Sequence, residues 1–335
     1  MAASESELIE RFFRHLGARR ADVALGIGDD AALVTVPADT ELVLTTDALV
    51  EGVHFEVGAG ARSLGHRALA VNLSDIAAMG ASPSWMLLAL TMPQADEAWL
   101  REFCAGMAAL ARDHRVALVG GNLSRGPLTI TVELAGLVPR GQALRRDGAR
   151  PGDQLYVSGT LGDAAAGRAR LHDPAAAALV QRFEYPQPRV ALGQALRGIA
   201  SACIDVSDGL YVDATRLLQA SGCAAEIDLE RLPLSAELSR ALGAEAPLLA
   251  LSGGEDYELC FCVAPAQAAA VAHAAARVDQ SIRCIGVLDT GERLAGSGSG
   301  SAAGPGTARQ PLRLKSSNAD SVMQFSASSF DHFRH

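Results

Sequence analysis

The sequence predicts an α/β or α+β protein built from two domains. The chain has 335 residues, which is enough for two domains of ordinary size. Segments with helical periodicity mix with short apolar strand-like segments in both halves. A basic, glycine-rich stretch at residues 140–152 separates the halves. We therefore expect an N-terminal domain at residues 1–145 and a C-terminal α/β domain at residues 146–335.

The N-terminal half begins with a helix signal and continues with strands. Ser4 and Glu7 form a capping-box pattern that predicts a helix to about residue 16. Segments 31–36 and 41–45 flank a turn at Pro37 and predict an antiparallel strand pair. Apolar residues recur at helical spacing over residues 63–79, before a glycine and a proline, which predicts a helix. Further strands are expected at 85–92, 116–119 and 129–138, and a further helix at 97–114.

The C-terminal half repeats this mixture of helices and strands. Strands are expected at residues 154–158, 225–229, 257–263 and 283–287. Helices are expected at 162–171, 174–183, 188–199, 209–220 and 265–278, the last with Pro265 in its first turn, where proline is tolerated. Residues 295–307 are almost wholly Gly, Ser and Ala, a composition that predicts a surface loop.

Composition narrows the function classes. The net charge of -9 argues against a nucleic-acid partner or an anionic membrane surface, because both select a basic face. The six cysteines contain no CxxC pair, which favours reduced thiols in a reducing cytoplasm. No apolar stretch approaches the ~20 uncharged residues of a membrane-spanning helix. We expect a soluble cytoplasmic protein.

Acidic residues recur in tight groups beside small residues and apolar runs. The groups are Gly28-Asp29-Asp30, Thr45-Thr46-Asp47, Asn72-Leu73-Ser74-Asp75 and Asp205-Val206-Ser207-Asp208-Gly209. Carboxylates at the ends of apolar strands suit hard cations that hold a polyphosphate. A simple turn is the alternative for Asp30, and helix capping is the alternative for Ser207 and Asp208. Asp75 interrupts an apolar helix, so it needs a cation or hydrogen-bond donors.

Two glycine-rich segments and one basic loop add groups that suit phosphate. Gly120-Gly121-Asn122 follows a short strand, and its N–H groups suit a phosphate, although a hairpin turn explains it as well. Arg146 either reaches a nucleotide phosphate or lies in a solvated boundary loop. Ser252–Glu258 places glycines and acids before a strand, with a hairpin as the alternative. No P-loop motif is present, so metal ions must neutralise the phosphates. The pattern indicates a magnesium-dependent phosphoryl-transfer enzyme.

Taken in order, these motifs resemble those of the thiamine-monophosphate kinases. The resemblance runs from about residue 5 to Phe330-Asp331-His332-Phe333 and includes Leu251-Ser-Gly-Gly-Glu-Asp-Tyr-Glu-Leu259. It implies the fold of the aminoimidazole ribonucleotide synthetase superfamily, in which an N-terminal metal- and ATP-binding domain dimerises through its sheet. It also implies phosphorylation of thiamine monophosphate by ATP with several Mg²⁺ ions, which gives thiamine diphosphate in the last step of that cofactor's biosynthesis, by a cytoplasmic homodimer.

The resemblance also implies a role for individual residues, and none of them acts as a catalytic acid or base. The expected metal ligands are Asp30, Thr45, Thr46, Asp47, Asp75, Asn122, Asp205 and Asp208. The expected ATP-binding residues are Gly121, Asn122, Arg146 and Ser207, and the expected substrate-binding residues are His54, Glu255 and Phe330. Asn122 departs from the family's Gly-Gly-Asp-Thr pattern, so one negative charge is missing. Weaker binding of one metal ion or slower turnover is expected from this change.

The expected chemistry is direct in-line transfer, because the attacking phosphate oxygen is already an anion. Two alternatives remain open. Another ATP-using synthetase of the superfamily would need a Cys, selenocysteine or Lys near the amino terminus, and residues 1–22 contain none. A non-catalytic, metal-dependent nucleotide-binding regulator is consistent with Asn122.

Overall fold

The computed structural model describes residues 4–290 and 311–316, which fall into two compact units. Unit 1 consists of Met1–Ala143 and Glu184–Val190, and unit 2 consists of Leu144–Phe183 and Ala191–His335. Each unit contains its own sheet and helices, so the expected mixed α/β architecture is confirmed. The predicted loop at 295–307 and the predicted substrate contact Phe330 lie outside the described residues.

Unit 1 is organised around a four-stranded sheet. The strands of the unit are β1 (Val23–Leu25), β2 (Leu33–Val34), β3 (Thr40–Val50), β4 (Ser82–Met92), β5 (Ala117–Arg125) and β6 (Thr129–Pro139), of which β1 and β2 form a separate pair. Its helices are α1 (Glu5–Leu8), α2 (Ala61–Ala78) and α3 (Glu97–Asp113). The sheet has the order β3-β6-β4-β5. Its β4–β5 pair is parallel and the other two pairs are antiparallel.

Helices α2 and α3 pack tightly together, and α2 lies against one face of this sheet. Each helix carries a glycine where the other helix passes. A Cβ on Gly65 would lie 2.0 Å from the Phe103 carbonyl oxygen, and a Cβ on Gly106 would lie 2.0 Å from the Arg62 carbonyl oxygen. Because no side chain fits at either point, the two glycines set the distance between the helix axes.

The N-terminal segment confirms one prediction and corrects another. The Ser4–Glu7 capping box is present, but the α-helix has only four residues and continues as a π-helical turn at Ile9–Phe13. The predicted strand pair of 31–36 with 41–45 is wrong. Strand β2 pairs with β1, whereas β3 pairs with β6 over all of its residues. Strand β6 is as long as β3 and therefore satisfies far more of its backbone hydrogen bonds than a two-residue strand can.

Unit 2 is organised around a six-stranded sheet in the order β12-β9-β11-β7-β10-β8. The strands are β7 (Gln154–Ser158), β8 (Ala200–Val206), β9 (Ala224–Asp228), β10 (Glu258–Val263), β11 (Ile282–Asp289) and β12 (Leu312–Lys315). The helices are α4 (Asp163–Arg168), α5 (Ala177–Glu184), α6 (Val190–Ala195), α7 (Leu210–Ser221), α8 (Ala236–Leu242), α9 (Ala246–Ser252) and α10 (Ala268–Arg277). The apolar side of α7 packs on the sheet, with Leu210, Ala214, Leu217 and Leu218 in the core.

Two general expectations can be checked on the described residues. All six cysteines are free thiols, and five of them are buried. Within residues 4–290 and 311–316, no helix combines the length and hydropathy needed to cross a membrane.

Candidate active site

In unit 1, the structure joins two of the predicted metal ligands. Thr45 on β3 donates its hydroxyl hydrogen bond to Oδ2 of Asp75 on α2, at 2.5 Å. Asp47 lies two residues after Thr45 and so shares its face of β3. A carboxylate in an apolar helix needs either a cation or hydrogen-bond donors, and the Thr45 hydroxyl is such a donor for Asp75.

Thr46 and Asn122 lie on the opposite face of the same sheet. Thr46 is opposite Glu133, Glu133 is opposite Leu87, and Leu87 is opposite Gly120, two residues before Asn122. Strands β3 and β5 form the two edges, so three strand spacings of roughly 4.8 Å separate them. Within one chain, the sheet does not bring Asn122 to Thr45, Asp47 and Asp75. Its metal-binding role stays a prediction.

Gly121 lies inside strand β5, so the hairpin suggested as its alternative is wrong. Its φ angle is +146°, and a Cβ there would lie 1.9 Å from the Leu88 carbonyl oxygen. Across the sheet, Asp47 pairs with Val132, Val132 pairs with Leu88, and Leu88 pairs with Gly121. Glycine is thus required by the close approach of β4. A nucleotide contact at Gly121 stays a prediction.

Asp30 lies in the exposed loop between β1 and β2. Its N–H donates to Asp29 Oδ1 at 2.8 Å. Arg14 holds the start of the same loop by donating to the Ile27 carbonyl oxygen at 3.1 Å. The segment is therefore a turn, as the alternative for Asp30 held, and Asp30 is exposed at its end.

His54 is half-buried, and a backbone contact determines which ring nitrogen can donate. The Val50 N–H donates to His54 Nδ1 at 3.1 Å, and Arg67 donates to the His54 carbonyl oxygen at 3.0 Å. Because Nδ1 accepts, the neutral imidazole carries its proton on Nε2. Nε2–H is therefore the N–H donor of the His54 ring.

In unit 2, the segment 205–209 is held by the first turns of α7. The N–H groups of Ser207 and Asp208 donate to Asp213 Oδ2 at 3.0 and 2.9 Å. The helix begins after Gly209 without a side-chain cap, so the suggestion that Ser207 and Asp208 cap it is wrong. The N–H donors point instead at Asp213, whose pKa burial raises to about 6.

Arg216 supplies a cation beside the predicted metal ligand Asp208. Its Nη1 lies 2.6 Å from Asp208 Oδ2 and 2.8 Å from Asp213 Oδ1. The guanidinium thus offsets part of the acidity of this segment. The sequence interpretation missed Asp213 and Arg216, although their i,i+3 spacing on a predicted helix was a usable signal.

The segment 252–258 is hydrogen-bonded to the segment 205–209 within unit 2. The Glu255 N–H donates to the Ser207 carbonyl oxygen at 2.8 Å, and the Tyr257 N–H donates to the Val206 carbonyl oxygen at 2.9 Å. The suggested hairpin at 252–258 is wrong, because α9 ends at Ser252 and β10 begins at Glu258. Residues predicted to bind nucleotide (Ser207) and substrate (Glu255) are therefore backbone neighbours.

The two adjacent acids Glu255 and Asp256 differ in accessibility. Asp256 is only 4% exposed and accepts hydrogen bonds from the Gly162 N–H at 2.8 Å and the Ala164 N–H at 3.4 Å. Burial raises its pKa well above the ordinary value. Glu255 is only half-buried. The geometry favours Glu255 as the acid that a substrate reaches.

The predicted nucleotide contact Arg146 lies in an exposed loop that is fixed to unit 2. The Ser221 hydroxyl donates to the Arg146 carbonyl oxygen at 2.7 Å, and the Cys203 N–H donates to the Arg145 carbonyl oxygen at 2.8 Å. Buried Asp205 lies near the end of strand β8, which also contains Cys203. The boundary loop is therefore anchored beside the acidic segment, with the Arg146 side chain in solvent.

The donor set on these segments consists of carboxylate and hydroxyl oxygens, which are the ligands that Mg²⁺ prefers. In the part of the chain that is described, no three His, Cys, Asp or Glu side chains converge on one metal position. Mg²⁺ is usually held by one or two carboxylates together with substrate phosphates, so pairs such as Asp75 with Thr45 suit it. Asp208 already forms an ion pair with the Arg216 guanidinium.

Two family models match most of the chain. The model described as "AIR synthase related protein, N-terminal domain" matches residues 28–138, and the model described as "AIR synthase related protein, C-terminal domain" matches residues 150–298. These matches confirm the superfamily and fold that the sequence motifs implied.

Individual relatives narrow the family. The chain is 47% identical over 296 residues to the thiamine-monophosphate kinase of Escherichia coli (strain K12), covering 86% of this chain and 91% of that protein. The crystal structure of thiamine-monophosphate kinase from Stenotrophomonas maltophilia K279a has a TM-score of 0.79 and 41% identity, and covers 94% of this chain and 97% of its own. A structure titled "AaThiL complexed with AMPPCP and TMP" has a TM-score of 0.71 and 33% identity, and covers 86% and 87% of the two chains. The chain is an enzyme and belongs to the thiamine-monophosphate kinase family.

Proposed function

We propose that the chain transfers the γ-phosphoryl group of ATP directly to the phosphate of thiamine monophosphate, with Mg²⁺ present. A phosphate oxygen of thiamine monophosphate forms a bond to the γ-phosphorus. The bond from that phosphorus to the β,γ-bridging oxygen breaks, and ADP leaves with its electron pair. The products are thiamine diphosphate and ADP.

The observation that carries this proposal is the pairing of segments 205–209 and 252–258. It places Ser207, which we assign to the nucleotide, one hydrogen bond away from the backbone of Glu255, which we assign to the substrate. A relative of 33% identity has been solved in complex with AMPPCP and TMP, which supports a nucleotide and TMP as the two ligands.

The protein's own residues bind and orient the two anions. Arg146, Gly121 and Ser207 would hold the nucleotide, and Asn122 would contribute its amide. The His54 Nε2–H and the Glu255 carboxylate would orient the aminopyrimidine, on which Phe330 would stack. The attacking oxygen is an anion at neutral pH, so the barrier is chiefly repulsion between the reactants and no general base is required.

Bound Mg²⁺ would neutralise the phosphates. Several ions are proposed, and their ligands would be Asp30, Thr45, Asp47, Asp75, Asp205 and Asp208. Thr46 and Asn122, on the opposite face of the sheet, would contribute hydroxyl and amide oxygens. We assign the N-terminal domain, residues 1–145, to metal and ATP binding and to dimerisation, and residues 146–335 to the C-terminal α/β domain.

We further propose a cytoplasmic homodimer that pairs through the sheet of unit 1. Leu42 and Leu44 on the edge strand β3 are 45% and 60% exposed, and Leu87 on β4 is 37% exposed. The register places these leucines on the face opposite Thr45 and Asp47. An exposed apolar face on a sheet edge favours association with a second copy. Six free cysteines are typical of a reducing compartment.

An assay with purified protein tests the reaction. ATP, Mg²⁺ and thiamine monophosphate should give ADP and thiamine diphosphate in equal amounts, and chelation of Mg²⁺ should abolish both products. Binding of nucleotide and thiamine monophosphate without turnover would instead establish the regulator.

Carboxylate variants link that activity to the acidic segments. Asp75→Asn and Asp208→Asn should each lower kcat about 100-fold or more, because an amide cannot supply the negative charge that stabilises a cation beside phosphate. Asp173→Asn is the matched control, since Asp173 caps a short helix and asparagine caps equally well. Circular dichroism should show all three variants folded. A near-normal kcat for Asp75→Asn or Asp208→Asn at saturating Mg²⁺ would contradict the metal assignment.

A further inference from the structure

The segment between α9 and β10 contains two residues in an unusual backbone conformation. Glu255 has φ = 73° and Tyr257 has φ = 52°, although neither is glycine. Residues other than glycine rarely adopt positive φ, and each instance costs on the order of 1–3 kcal/mol unless its surroundings enforce it. The surroundings of this segment must therefore hold it in place.

Contacts on three sides hold the segment. The backbone N–H groups of Glu255 and Tyr257 donate to the 206–207 backbone. Between them, buried Asp256 accepts from the Gly162 and Ala164 N–H groups. Next along the chain, fully buried Glu258 accepts from the Ser158 hydroxyl at 2.6 Å and from Arg182 at 3.1 Å. These anchors fix both ends of the two-residue step from Glu255 to Tyr257.

Within this segment the side chain of Tyr257 contacts that of Glu255. The Tyr257 hydroxyl donates to Glu255 Oε2 at 3.0 Å. Tyr257 is 8% exposed, so its ring has little freedom, whereas Glu255 is half-buried. A rigid neutral donor therefore restrains the orientation of a carboxylate that solvent can reach.

We propose that Tyr257 is a positioning residue that holds the Glu255 carboxylate in the orientation that accepts a hydrogen bond from the amino group of the substrate's aminopyrimidine. This inference rests on the proposed function, in which Glu255 binds that ring. A carboxylate has about four lone-pair sites, so it accepts from Tyr257 and from a substrate N–H at the same time. Tyr257 thereby contributes to recognition of the ring without touching the phosphates.

Replacing Tyr257 by Phe removes only the hydroxyl. Because hydrogen bonds to charged groups are worth more than neutral ones, Tyr257→Phe should raise the KM and the Kd for thiamine monophosphate about tenfold. The kcat and the KM for ATP should change less than about twofold, since phosphate contacts are untouched. Calorimetry gives the Kd without turnover, so the inference is tested even in a protein that proves inactive.

Tyr156→Phe is a matched control. The Tyr156 hydroxyl donates to Gln154 Oε1 at 2.9 Å, so it is also a tyrosine bonded to the side chain two residues earlier, in the same unit. Tyr156→Phe should leave the Kd for thiamine monophosphate unchanged. A similar loss of thermal stability in the two variants would show that the binding defect of Tyr257→Phe is not an unfolding effect.

Glu255→Gln and the double variant complete the test. Glu255→Gln should weaken binding of thiamine monophosphate. It should weaken binding less, or improve it, for the 4-oxo analogue, which has a carbonyl in place of the amino group of the aminopyrimidine, because an amide can donate to a carbonyl. In the Glu255→Gln background, Tyr257→Phe should raise the Kd for thiamine monophosphate by a much smaller factor than it does in the native chain. Additive losses, an unchanged Kd for Tyr257→Phe, or an unchanged Kd for Glu255→Gln would each overturn the inference. Absence of turnover with these binding effects intact would overturn only the proposed function.

Discussion

At the scale of single residues, Asp75 and Asp208 each accept a hydrogen bond from a side chain of another segment. Both were singled out as metal ligands because acids beside apolar runs are conspicuous, and that role stays a prediction. The hydroxyl of Thr45 on Asp75 and the guanidinium of Arg216 on Asp208 were not predicted. Thr45 lies on another element than Asp75, so their contact depends on packing that the local sequence does not encode. Arg216 lies on the predicted helix itself, at i,i+3 from Asp213, and was overlooked.

Asn122 tests how far the family pattern extends to this chain. Asn122→Asp should lower the Mg²⁺ concentration needed for half-maximal activity several-fold, because a carboxylate binds a hard cation more strongly than an amide oxygen does. Activity should be measured over a Mg²⁺ titration. Asn122→Ser, which replaces the amide by a hydroxyl and adds no charge, is the control. Equal titration curves for the native chain and Asn122→Asp would show that this position holds no metal ion.

The backbone at position 121 requires glycine for a structural reason that is independent of nucleotide binding. Gly121→Ala should cost about 3 kcal/mol or more of unfolding free energy, because φ is +146° and the new Cβ would meet the Leu88 carbonyl oxygen at 1.9 Å. Gly120→Ala is the neighbouring control, since its Cβ would meet only the end of the Leu87 side chain at 3.1 Å. It should cost about 1 kcal/mol or less. Urea unfolding measures both, and equal losses would contradict the argument.

At the scale of elements, long and strongly patterned segments were predicted and short or irregular ones were not. Helices α2, α3 and α7 and strands β6 and β7 agree with the sequence pattern to within a few residues. The pairing of β2 was wrong, and α8, α9 and β12 were not predicted. Strand pairing is a long-range choice, and seven-residue helices carry too few turns to show a period.

His66 on helix α2 and His114, the residue that follows helix α3, are two histidines whose burial makes unit 1 sensitive to acid. Burial lowers the pKa of His66, against the opposing effect of its contact with the Pro186 carbonyl oxygen, and burial also lowers the pKa of His114, against the opposing charge of Asp113. The unfolded chain therefore binds protons more readily than the folded one. This stability is present above the ordinary pKa of 6.5 and is lost as pH falls through the lowered values.

The free energy of unfolding should consequently fall between pH 7 and pH 5, by at most about 1.4 kcal/mol per pH unit for each histidine. His66→Gln should flatten this slope. His273→Gln, at an exposed position on α10, should leave it unchanged. Urea unfolding at several pH values provides the measurement. An identical slope for His66→Gln and the native chain would contradict the assignment.

At the scale of the whole molecule, the proposal requires the sheet of unit 1 to pair with a second copy. Leu44→Lys should convert a dimer into a monomer, because it places a charge on a 60% exposed leucine in the apolar face. Val287→Lys is the control, at a 50% exposed valine of unit 2. Sedimentation velocity distinguishes the two states. A native chain that is monomeric, or a Leu44→Lys variant that remains dimeric, would exclude this face.

The remaining whole-molecule claim is that one phosphoryl group passes directly between two anions. A protein that only binds nucleotide transfers no phosphoryl group and needs no second substrate. Transfer of a label from the γ-phosphorus separates the enzyme from the binding protein. The configuration at phosphorus then shows whether the transfer is a single in-line displacement, because one such step inverts it.

The most direct test uses ATP made chiral at its γ-phosphorus with oxygen isotopes. The account predicts that the labelled phosphoryl group appears in thiamine diphosphate with inverted configuration. Retention of configuration, or no transfer of the label to thiamine monophosphate, would contradict direct transfer.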